Sequence, residues 1–266
     1  EEIGMEKTLP GDGNLEAEPL YVVGIGASAG GLEALEHFFR SMPLDTGMAF
    51  VVIQHLSPDF KSLMDELLAR HTRMTIVRVE GDTEMRPNTI YLLPPRKELT
   101  FEEGRLVLVD RLPDHQPSMP INRFFRALAR ERGNRAIAVV LSGTGTDGSI
   151  GLSDIYDSGG LVLVQDVESA KFDGMPRSAL ATGFVHAVLS PDEMSAALMK
   201  HVGDPESVQR GGAMSVGGKA EDLAAVFERI REAYGIDFGL YKPATITRRI
   251  ERRLVLGNFA TAREYF

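Results

Sequence analysis

The residues of this sequence best suited to catalysis or binding lie in one glycine-rich segment, residues 24–31 (GIGASAGG). Counted from Gly26, it has the spacing G-x-S-x-G of a nucleophile elbow, which exposes a serine hydroxyl, here Ser28, beside unsatisfied backbone N–H groups. Counted from Gly24, it has the spacing G-x-G-x-x-A, in which glycines let a dinucleotide pyrophosphate approach a helix N-terminus. A third interpretation is a tight turn in which glycine supplies a positive φ and Ser28 only caps the following helix. Serine hydrolysis, nucleotide binding and a structural turn are therefore all open at this segment.

Residues at the carboxyl ends of strands are the candidate partners of the serine, because ligands of open parallel sheets collect there. A dinucleotide site needs an acidic residue at the end of the second strand, whereas this chain has Gln54 and His55 there. His55 favours the hydrolase interpretation, because it supplies the general base that a serine nucleophile requires. For the orienting acid, Asp147 lies in a second glycine-rich loop, residues 142–148, and Asp166 is a rival at the end of another strand.

The other ionisable residues indicate no metal or cofactor site. His37, His71 and His201 lie in amphipathic helical patterns, where a structural role is expected. His115 lies in a polar loop and His186 begins a strand, and both are weak candidates for the base. No H-x-x-x-H pair or carboxylate cluster has metal-ligand spacing, so we predict neither a metal nor a cofactor. The chain has no cysteine, which excludes disulfides and thiolate catalysis.

An alternation of short apolar runs and helical patterns must position these residues. The predicted strands are 21–26, 48–55, 75–80, 89–93, 136–141, 161–165 and 185–189. The predicted helices are about 30–41, 60–71, 120–132, 176–182 and 191–202, with another after residue 148. Two short runs about a Glu-Gly turn, within 99–109, predict an antiparallel hairpin. The pattern predicts an α/β fold with a doubly wound, mostly parallel sheet, an antiparallel hairpin and helices on both faces, plus a small all-α C-terminal segment.

Composition and charge divide the chain into four parts. Residues 1–19 are acidic, contain glycine and proline and lack periodicity, which predicts a disordered leader. Residues 20–202 hold the α/β pattern, 203–218 have the composition of a linker, and 219–266 are helical in pattern. The last part has nine basic and seven acidic residues, a net +2, and the rest has twenty basic and thirty-one acidic, a net −11. This balance argues against general nucleic-acid binding, and the lack of a membrane-length apolar run or signal peptide predicts a cytoplasmic protein.

Four motifs together resemble the catalytic domain of the chemotaxis protein-glutamate methylesterase family (CheB type), over about residues 20–202. They are GIGASAGG at 24–31, the strand ending QH at 54–55, LSGTGTDG at 141–148 and GMPR at 174–177. Residues 219–266 resemble the start of the N-terminal helical domain of the chemotaxis receptor methyltransferase (CheR type), through YKPATITRRIERR at 241–253. The whole resembles a piece of a methylesterase–methyltransferase fusion.

The resemblance implies a catalytic triad of Ser28, His55 and Asp147. Its substrate would be a glutamyl methyl ester of a methyl-accepting chemotaxis receptor or a similar signalling protein, with methanol as a product. The same acyl chemistry would serve to deamidate glutamine side chains.

The oxyanion of such a reaction needs backbone N–H donors near the nucleophile. We expect them at Ala29, with Gly30 beside it, and in the loop formed by Gly143, Thr144 and Gly145. Thr144 stands where the family often has Met, so a contribution there is expected from the backbone. With no receiver domain and no methyltransferase core in this sequence, regulation stays open and no methyl transfer is expected.

A basic helical face near the C-terminal end has two interpretations. The resembled methyltransferase domain approaches glutamate-rich receptor helices, so Arg248, Arg249, Arg252 and Arg253 are expected to bind an acidic receptor. The alternative is a solvated basic face without a partner. No nucleic acid and no membrane insertion are expected. Two other functions stay open for the whole chain: a nucleotide-binding α/β module and a catalytically idle receptor-binding adaptor.

Overall fold

The computed structural model describes residues 19–54, 64–110 and 119–204. The strands in these ranges are β1 (Tyr21–Ala27), β2 (Met48–Gln54), β3 (Thr75–Arg78), β4 (Thr83–Glu84), β5 (Thr89–Leu92), β6 (Lys97–Glu102), β7 (Arg105–Asp110), β8 (Ala136–Val140), β9 (Leu161–Gln165) and β10 (Ala187–Leu189). The helices are α1 (Gly31–Arg40), α2 (Met64–Leu68), α3 (Pro120–Arg132), α4 (Gly151–Asp157), α5 (Gly174–Thr182) and α6 (Pro191–Gly203). A short 3₁₀ turn at Gly133–Arg135 leads from α3 into β8.

Seven of the strands form one parallel sheet, in the order β10-β9-β8-β1-β2-β5-β3. Strand β1 lies in the interior of the sheet and every one of its residues is buried, as is typical of a parallel strand covered on both faces. The chain runs from β1 to β2 on one side and later returns to place β8 on the other side. The loops that follow β1 and β8 therefore leave neighbouring strands in opposite directions and open a crevice between them.

Each face of the sheet carries its own hydrophobic core, because successive side chains of a strand point to opposite faces. Val23 and Ile25 of β1 belong to a core shared with α1, α2 and α6. Val22 belongs to a second core shared with α3, α4, α5 and the smaller sheet. The main sheet thus has helices on both faces, and the ends of its strands remain open.

Helix α3 lies between the main sheet and the smaller antiparallel sheet β4-β7-β6. Toward the main sheet, its aromatic side chains pack against Gly24 of β1. Toward the small sheet, the Arg132 guanidinium lies 5.4 Å from the centre of the Phe101 ring, and Arg123 forms an ion pair with the buried Glu98 of β6. Helix α3 is consequently held from both sides.

The predicted α/β fold is confirmed, including the antiparallel hairpin, which is β6 and β7. Two features were not predicted. Strand β4 has only two residues, too few to show a period, and β5 pairs between β2 and β3, which makes the order in space differ from the order in the chain. Apart from Pro19, the predicted leader lies outside the described residues. The same holds for all but the first residues of the predicted linker and for the segment 219–266. No helix in the described ranges has the length and apolar character to cross a membrane.

Candidate active site

Ser28 lies in the sharp turn between β1 and α1. Residues 28–30 make the turn, and Gly30 has a φ of 71°, in the left-handed region that favours glycine. The N–H of Ser28 donates to the carbonyl of Ser142 across 3.0 Å, which fastens the turn to the loop after β8. Ser28 itself is partly exposed. The geometry is that of a strand, a tight turn and a helix with a serine at the bend.

The two glycines inside β1 face a helix. A Cβ atom at Gly26 would lie 2.6 Å from Cγ2 of Ile121, and one at Gly24 would lie 3.1–3.2 Å from three other side chains of α3. Both glycines therefore serve the close packing of α3 on β1. Both glycines lie inside β1 and face α3, whereas a pyrophosphate would have to approach the turn after the strand. Their position therefore counts against the dinucleotide interpretation.

Asp147 lies in the loop after β8 and is 6% exposed. Its Oδ2 accepts from the N–H of Ile121 at 3.0 Å, and its Oδ1 accepts from the N–H groups of Asn122 at 3.0 Å and Gly148 at 2.9 Å. Two of these donors belong to the first turn of α3, where a negative charge is favoured by the helix dipole. Three backbone N–H groups thus hold the carboxylate in a fixed orientation.

Asp166, the rival acid, is occupied in its own loop. It accepts from the Ser169 hydroxyl at 2.5 Å and from the N–H groups of Ser169 and Glu168 at 2.8 and 3.1 Å. Burial alone would raise the pKa of Asp166, but these hydrogen bonds outweigh it and hold the pKa below its ordinary value. Asp166 therefore closes the turn after β9.

Four of the six histidines lie in described ranges, and each has a structural contact. His37 Nδ1 lies 2.9 Å from Asp192 Oδ2, and His71 Nε2 lies 3.7 Å from Glu36 Oε1. The ring of His201 is buried edge-on against Tyr21. His186 Nδ1 accepts from the N–H of Val162 and its ring stacks on Tyr156.

His115 and His55 lie outside the described residues. The residue before His55, Gln54, ends β2 and pairs with Ala27 of β1, directly before Ser28. The catalytic assignment of His55 remains a prediction from sequence.

The loop after β8 is joined to the loop before α5. The N–H of Gly143 donates to the carbonyl of Phe172 at 2.9 Å, and the N–H of Met175 donates to the carbonyl of Gly143 at 2.8 Å. The N–H of Gly143 is therefore occupied. The N–H groups of Thr144 and Gly145, in the same loop, have no acceptor in the described part of the chain.

The turn after β1 offers two further donors. The N–H groups of Ala29 and Gly30 also donate to no acceptor within residues 19–54, 64–110 and 119–204. Unsatisfied N–H groups beside a serine can stabilise a developing oxyanion. Of the N–H groups expected from the sequence, those of Ala29, Gly30, Thr144 and Gly145 have no acceptor in the described ranges, whereas that of Gly143 does.

Two residues at strand ends have a larger part in the site than the sequence indicated. Ser142 is 1% exposed, and its hydroxyl and backbone touch the loops after β1, β8 and β9. Gln165 is also 1% exposed, and its Oε1 accepts from the N–H of Ser142 at 2.8 Å. Their positions at the ends of buried strands were the only available signal, because the contacts join segments far apart in the chain.

A cleft of about 380 Å³ opens beside this cluster. Gly30, Ser142 and Gln165 line its inner part, and charged side chains such as Glu33 and Lys171 lie at its rim. The crevice at the reversal of strand order thus has space next to the serine turn. No group of side chains suited to hold a metal ion occurs in the described ranges.

Comparison with known proteins gives a consistent result. Residues 23–198 match the family described as CheB methylesterase, and residues 221–266 match the all-alpha domain of CheR methyltransferase. The crystal structure of the CheB methylesterase catalytic domain of Thermotoga maritima is similar, with a TM-score of 0.62 and 26% identity, over 68% of this chain and 97% of that one.

Two curated relatives show how much of each protein the similarity covers. An uncharacterized 104.1 kDa protein of Rhodobacter capsulatus is 37% identical, over 72% of this chain and 22% of the relative. Protein-glutamate methylesterase/protein-glutamine glutaminase 6 of Anaeromyxobacter dehalogenans is 35% identical, over 71% of this chain and 56% of the relative. The chain thus spans about half the length of the named methylesterase and a smaller part of the longer protein.

Proposed function

The chain belongs to the CheB methylesterase family, and on that premise we propose that it hydrolyses glutamyl methyl esters of proteins with Ser28 as the nucleophile. The observation that carries the proposal is the serine turn at the reversal of strand order, with two N–H groups beside it that have no acceptor in the described ranges. A serine that only capped α1 would bond to that helix, and α1 has no side-chain cap.

The reaction is an acyl transfer in two steps. The Ser28 hydroxyl attacks the ester carbonyl, His55 accepts its proton and returns it to the departing methoxide, and methanol leaves. Water then attacks the acyl-enzyme, again giving a proton to His55, and the glutamate carboxylate is released as Ser28 recovers its proton. Asp147 would hold the imidazole in the correct tautomer and stabilise the imidazolium.

The hydrogen bonds of the two candidate acids support Asp147 as the orienting acid. Its carboxylate is buried and fixed by three backbone N–H groups, so it has a single orientation. By contrast, the carboxylate of Asp166 accepts its hydrogen bonds from Glu168 and Ser169 of its own turn. The ranking of the two acids is a prediction, because the position of His55 lies outside the described residues.

The oxyanion would be stabilised by the N–H of Ala29, at the start of the turn into α1, together with a second N–H. Gly30, Thr144 and Gly145 supply the candidates for that second donor, whereas the N–H of Gly143 already donates to Phe172. Preorganised N–H groups of this kind stabilise charge that develops in the transition state.

The substrate would be a chemotaxis receptor or a similar signalling protein, with methyl esters hydrolysed and glutamine side chains deamidated. The names of the relatives, protein-glutamate methylesterase and protein-glutamine glutaminase, support both reactions. Residues 221–266, which match the all-alpha CheR domain, would contribute binding to the acidic receptor. Such a receptor would be met in the cytoplasm.

The decisive measurement is methanol release from methylated receptor fragments by the wild type and by Ser28→Ala. Turnover should fall on the order of 10³-fold or more. Ser41→Ala is the matched control, because Ser41 follows α1 and, among the described residues, its hydroxyl bonds to backbone carbonyls of that helix. Turnover that survives in Ser28→Ala would contradict the proposal. Binding of fragments by a wild type that releases no methanol would indicate an idle adaptor instead.

A further inference from the structure

The two peptide groups that follow the nucleophile are both held by their carbonyl oxygens. The carbonyl of Ser28 accepts from the N–H of Gly31 at 2.9 Å and from Nε2 of Gln54 at 3.4 Å. The carbonyl of Ala29 accepts from the hydroxyl of Ser142 at 3.0 Å. Side chains at the ends of β2 and β8, the two strands that flank β1, thus hold the turn from both sides.

Peptide planarity converts these carbonyl contacts into a direction for the N–H groups. In a trans peptide the C=O and the N–H lie in one plane and point in opposite directions. The carbonyl of Ser28 shares its plane with the N–H of Ala29, and the carbonyl of Ala29 shares its plane with the N–H of Gly30. A side chain that fixes either carbonyl therefore fixes the N–H on the other side, and neither N–H has an acceptor in the described ranges.

The Ser142 hydroxyl is itself immobilised. Its Oγ accepts from the N–H of Phe172 at 3.0 Å and lies 3.2 Å from the carbonyl of Phe172. Its backbone N–H donates to the buried Gln165, and its carbonyl accepts from the N–H of Ser28. The Oγ atom is therefore fixed in position, and of the two carbonyls within its reach the one of Ala29 is nearer, at 3.0 Å against 3.2 Å for Phe172.

The side-chain amide of Gln54 is not explained by stability alone. Its Oε1 is buried and accepts no hydrogen bond from the described part of the chain. A buried acceptor without a donor destabilises the folded state. The fold nevertheless keeps this amide, with its Nε2 aimed at the carbonyl of Ser28.

We infer that Ser142 and Gln54 are positioning residues of the acyl-transfer step, which orient the N–H groups of Ala29 and Gly30 through the carbonyls of Ala29 and Ser28. The inference rests on the proposed function. It assigns to these side chains no contact with the substrate, and it locates their effect in the transition state, where an oxyanion has formed.

Ser142→Ala tests the stronger of the two contacts. Because small misplacements of catalytic groups carry large rate penalties, kcat for methanol release should fall about 10- to 100-fold with KM unchanged. Ser158→Ala is the matched control: the Ser158 hydroxyl is also partly buried and bonds to two backbone carbonyls, at 2.8 and 3.3 Å, but away from the turn. Equal kcat values in the two variants would overturn the role of Ser142.

Gln54→Met tests the second contact and separates positioning from stability. The near-isosteric side chain removes both the Nε2 donor and the unsatisfied Oε1, so the melting temperature should stay the same or rise. Since the Ser28 carbonyl keeps its bond from Gly31, kcat should fall less than in Ser142→Ala, about 3- to 10-fold. A kcat that is unchanged, or that falls only in step with stability, would overturn the role of Gln54.

Ser28→Ala in the same assay keeps the two proposals apart. If Ser28→Ala retains turnover, the proposed function fails. If Ser28→Ala abolishes turnover while Ser142→Ala and Gln54→Met behave as the control does, the positioning inference fails and the function stands. Should Ser142→Ala not fold, as judged by circular dichroism, Gln54→Met decides the matter.

Discussion

At the scale of single residues, the two described members of the proposed triad differ in how they are held. Ser28 is tied to the loop after β8 by its backbone N–H, which leaves its side chain available for chemistry. Asp147 is tied by its side chain, which caps the first turn of α3. Removing the side chain of Ser28 should therefore spare the fold, whereas changing Asp147 should affect both fold and chemistry.

Ser28→Ala and His55→Ala should each lower turnover on the order of 10³-fold or more, and the double variant should lose little beyond the single ones. The reason is that a nucleophile without its base, or a base without its nucleophile, contributes almost nothing. Turnover of the three variants on methylated receptor fragments provides the measurement. A double variant whose loss equals the product of the single losses would show that the two residues act independently.

Asp147→Asn should lower turnover on the order of 10⁴-fold, because the amide favours the wrong imidazole tautomer. Its amide group would also face backbone donors that the carboxylate now accepts from, which should lower the free energy of unfolding by about 1–3 kcal/mol. Turnover and urea denaturation measure the two effects. A larger loss of turnover in Asp166→Asn than in Asp147→Asn would identify Asp166 as the orienting acid.

Asp166→Asn should leave turnover nearly unchanged and alter the acid dependence of stability. The hydrogen bonds from Ser169 and Glu168 favour the ionised form in the folded state, so the folded pKa of Asp166 lies below the unfolded one. This stabilisation is present above the unfolded pKa and is lost as the pH falls through the folded pKa. The difference in unfolding free energy between wild type and variant should therefore shrink with acidification. A difference in unfolding free energy that stays constant as the pH falls would contradict the lowered pKa of Asp166.

At the scale of elements, the sequence predicts the strands well and their neighbours less well. Buried strands such as β1 and β8 are continuous apolar runs, and the glycine-rich turns that follow them were recognisable. The contacts that shape the site join these turns to one another, as Ser142 does for the loops after β1, β8 and β9. Such contacts depend on which strands lie side by side, and periodicity along one strand carries no information about that.

The packing of α3 on β1 shows the same limit. From sequence, Gly26 belonged to a motif for a serine or a phosphate, but in the fold it also makes room for Ile121. Because Ile121 donates to Asp147, the glycine and the acid are joined through the start of one helix. A methyl group added at Gly26 should thus alter the position of Asp147.

Gly26→Ala should lower the free energy of unfolding by about 1–3 kcal/mol, because the added methyl group would meet Ile121 at 2.6 Å. Displacement of Ile121 should also reduce turnover. Chemical denaturation and methanol release measure the two effects. Gly81→Ala is the control, since nothing lies within 4 Å of a Cβ at Gly81 and its φ is outside the left-handed region. Equal stabilities of the two variants would contradict this account.

At the scale of the whole molecule, the charge is unevenly distributed along the chain. Residues 219–266 carry a net +2 and the rest of the chain a net −11. An acidic receptor would be repelled by the larger part and attracted by the smaller, so the C-terminal segment is the suitable place for electrostatic binding. The arginines concerned, like the segment itself, lie outside the described residues, and their role remains a prediction.

Reversal of Arg248 and Arg252 to Glu should weaken the binding of receptor fragments and reduce the salt dependence of that binding. Hydrolysis of a small neutral ester should not change, because the serine turn is unaffected. Titration of fragments at two salt concentrations, beside an assay with the small ester, makes the comparison. Binding at low salt that equals that of the wild type would leave only the solvated-face interpretation of these residues.

The pairing of β1 with β8 also has a consequence for the order in which the protein is made. The N–H of Ser28 finds its partner only when Ser142 has been synthesised and β8 has docked beside β1, far along the chain. A nascent chain that stops before this point contains the nucleophile but lacks Asp147 and the Ser142 carbonyl that fastens the serine turn. Pairing between distant segments is slow compared with local folding. The proposed hydrolase should therefore remain silent on the ribosome, and the return of turnover after dilution from denaturant should report the docking of β8.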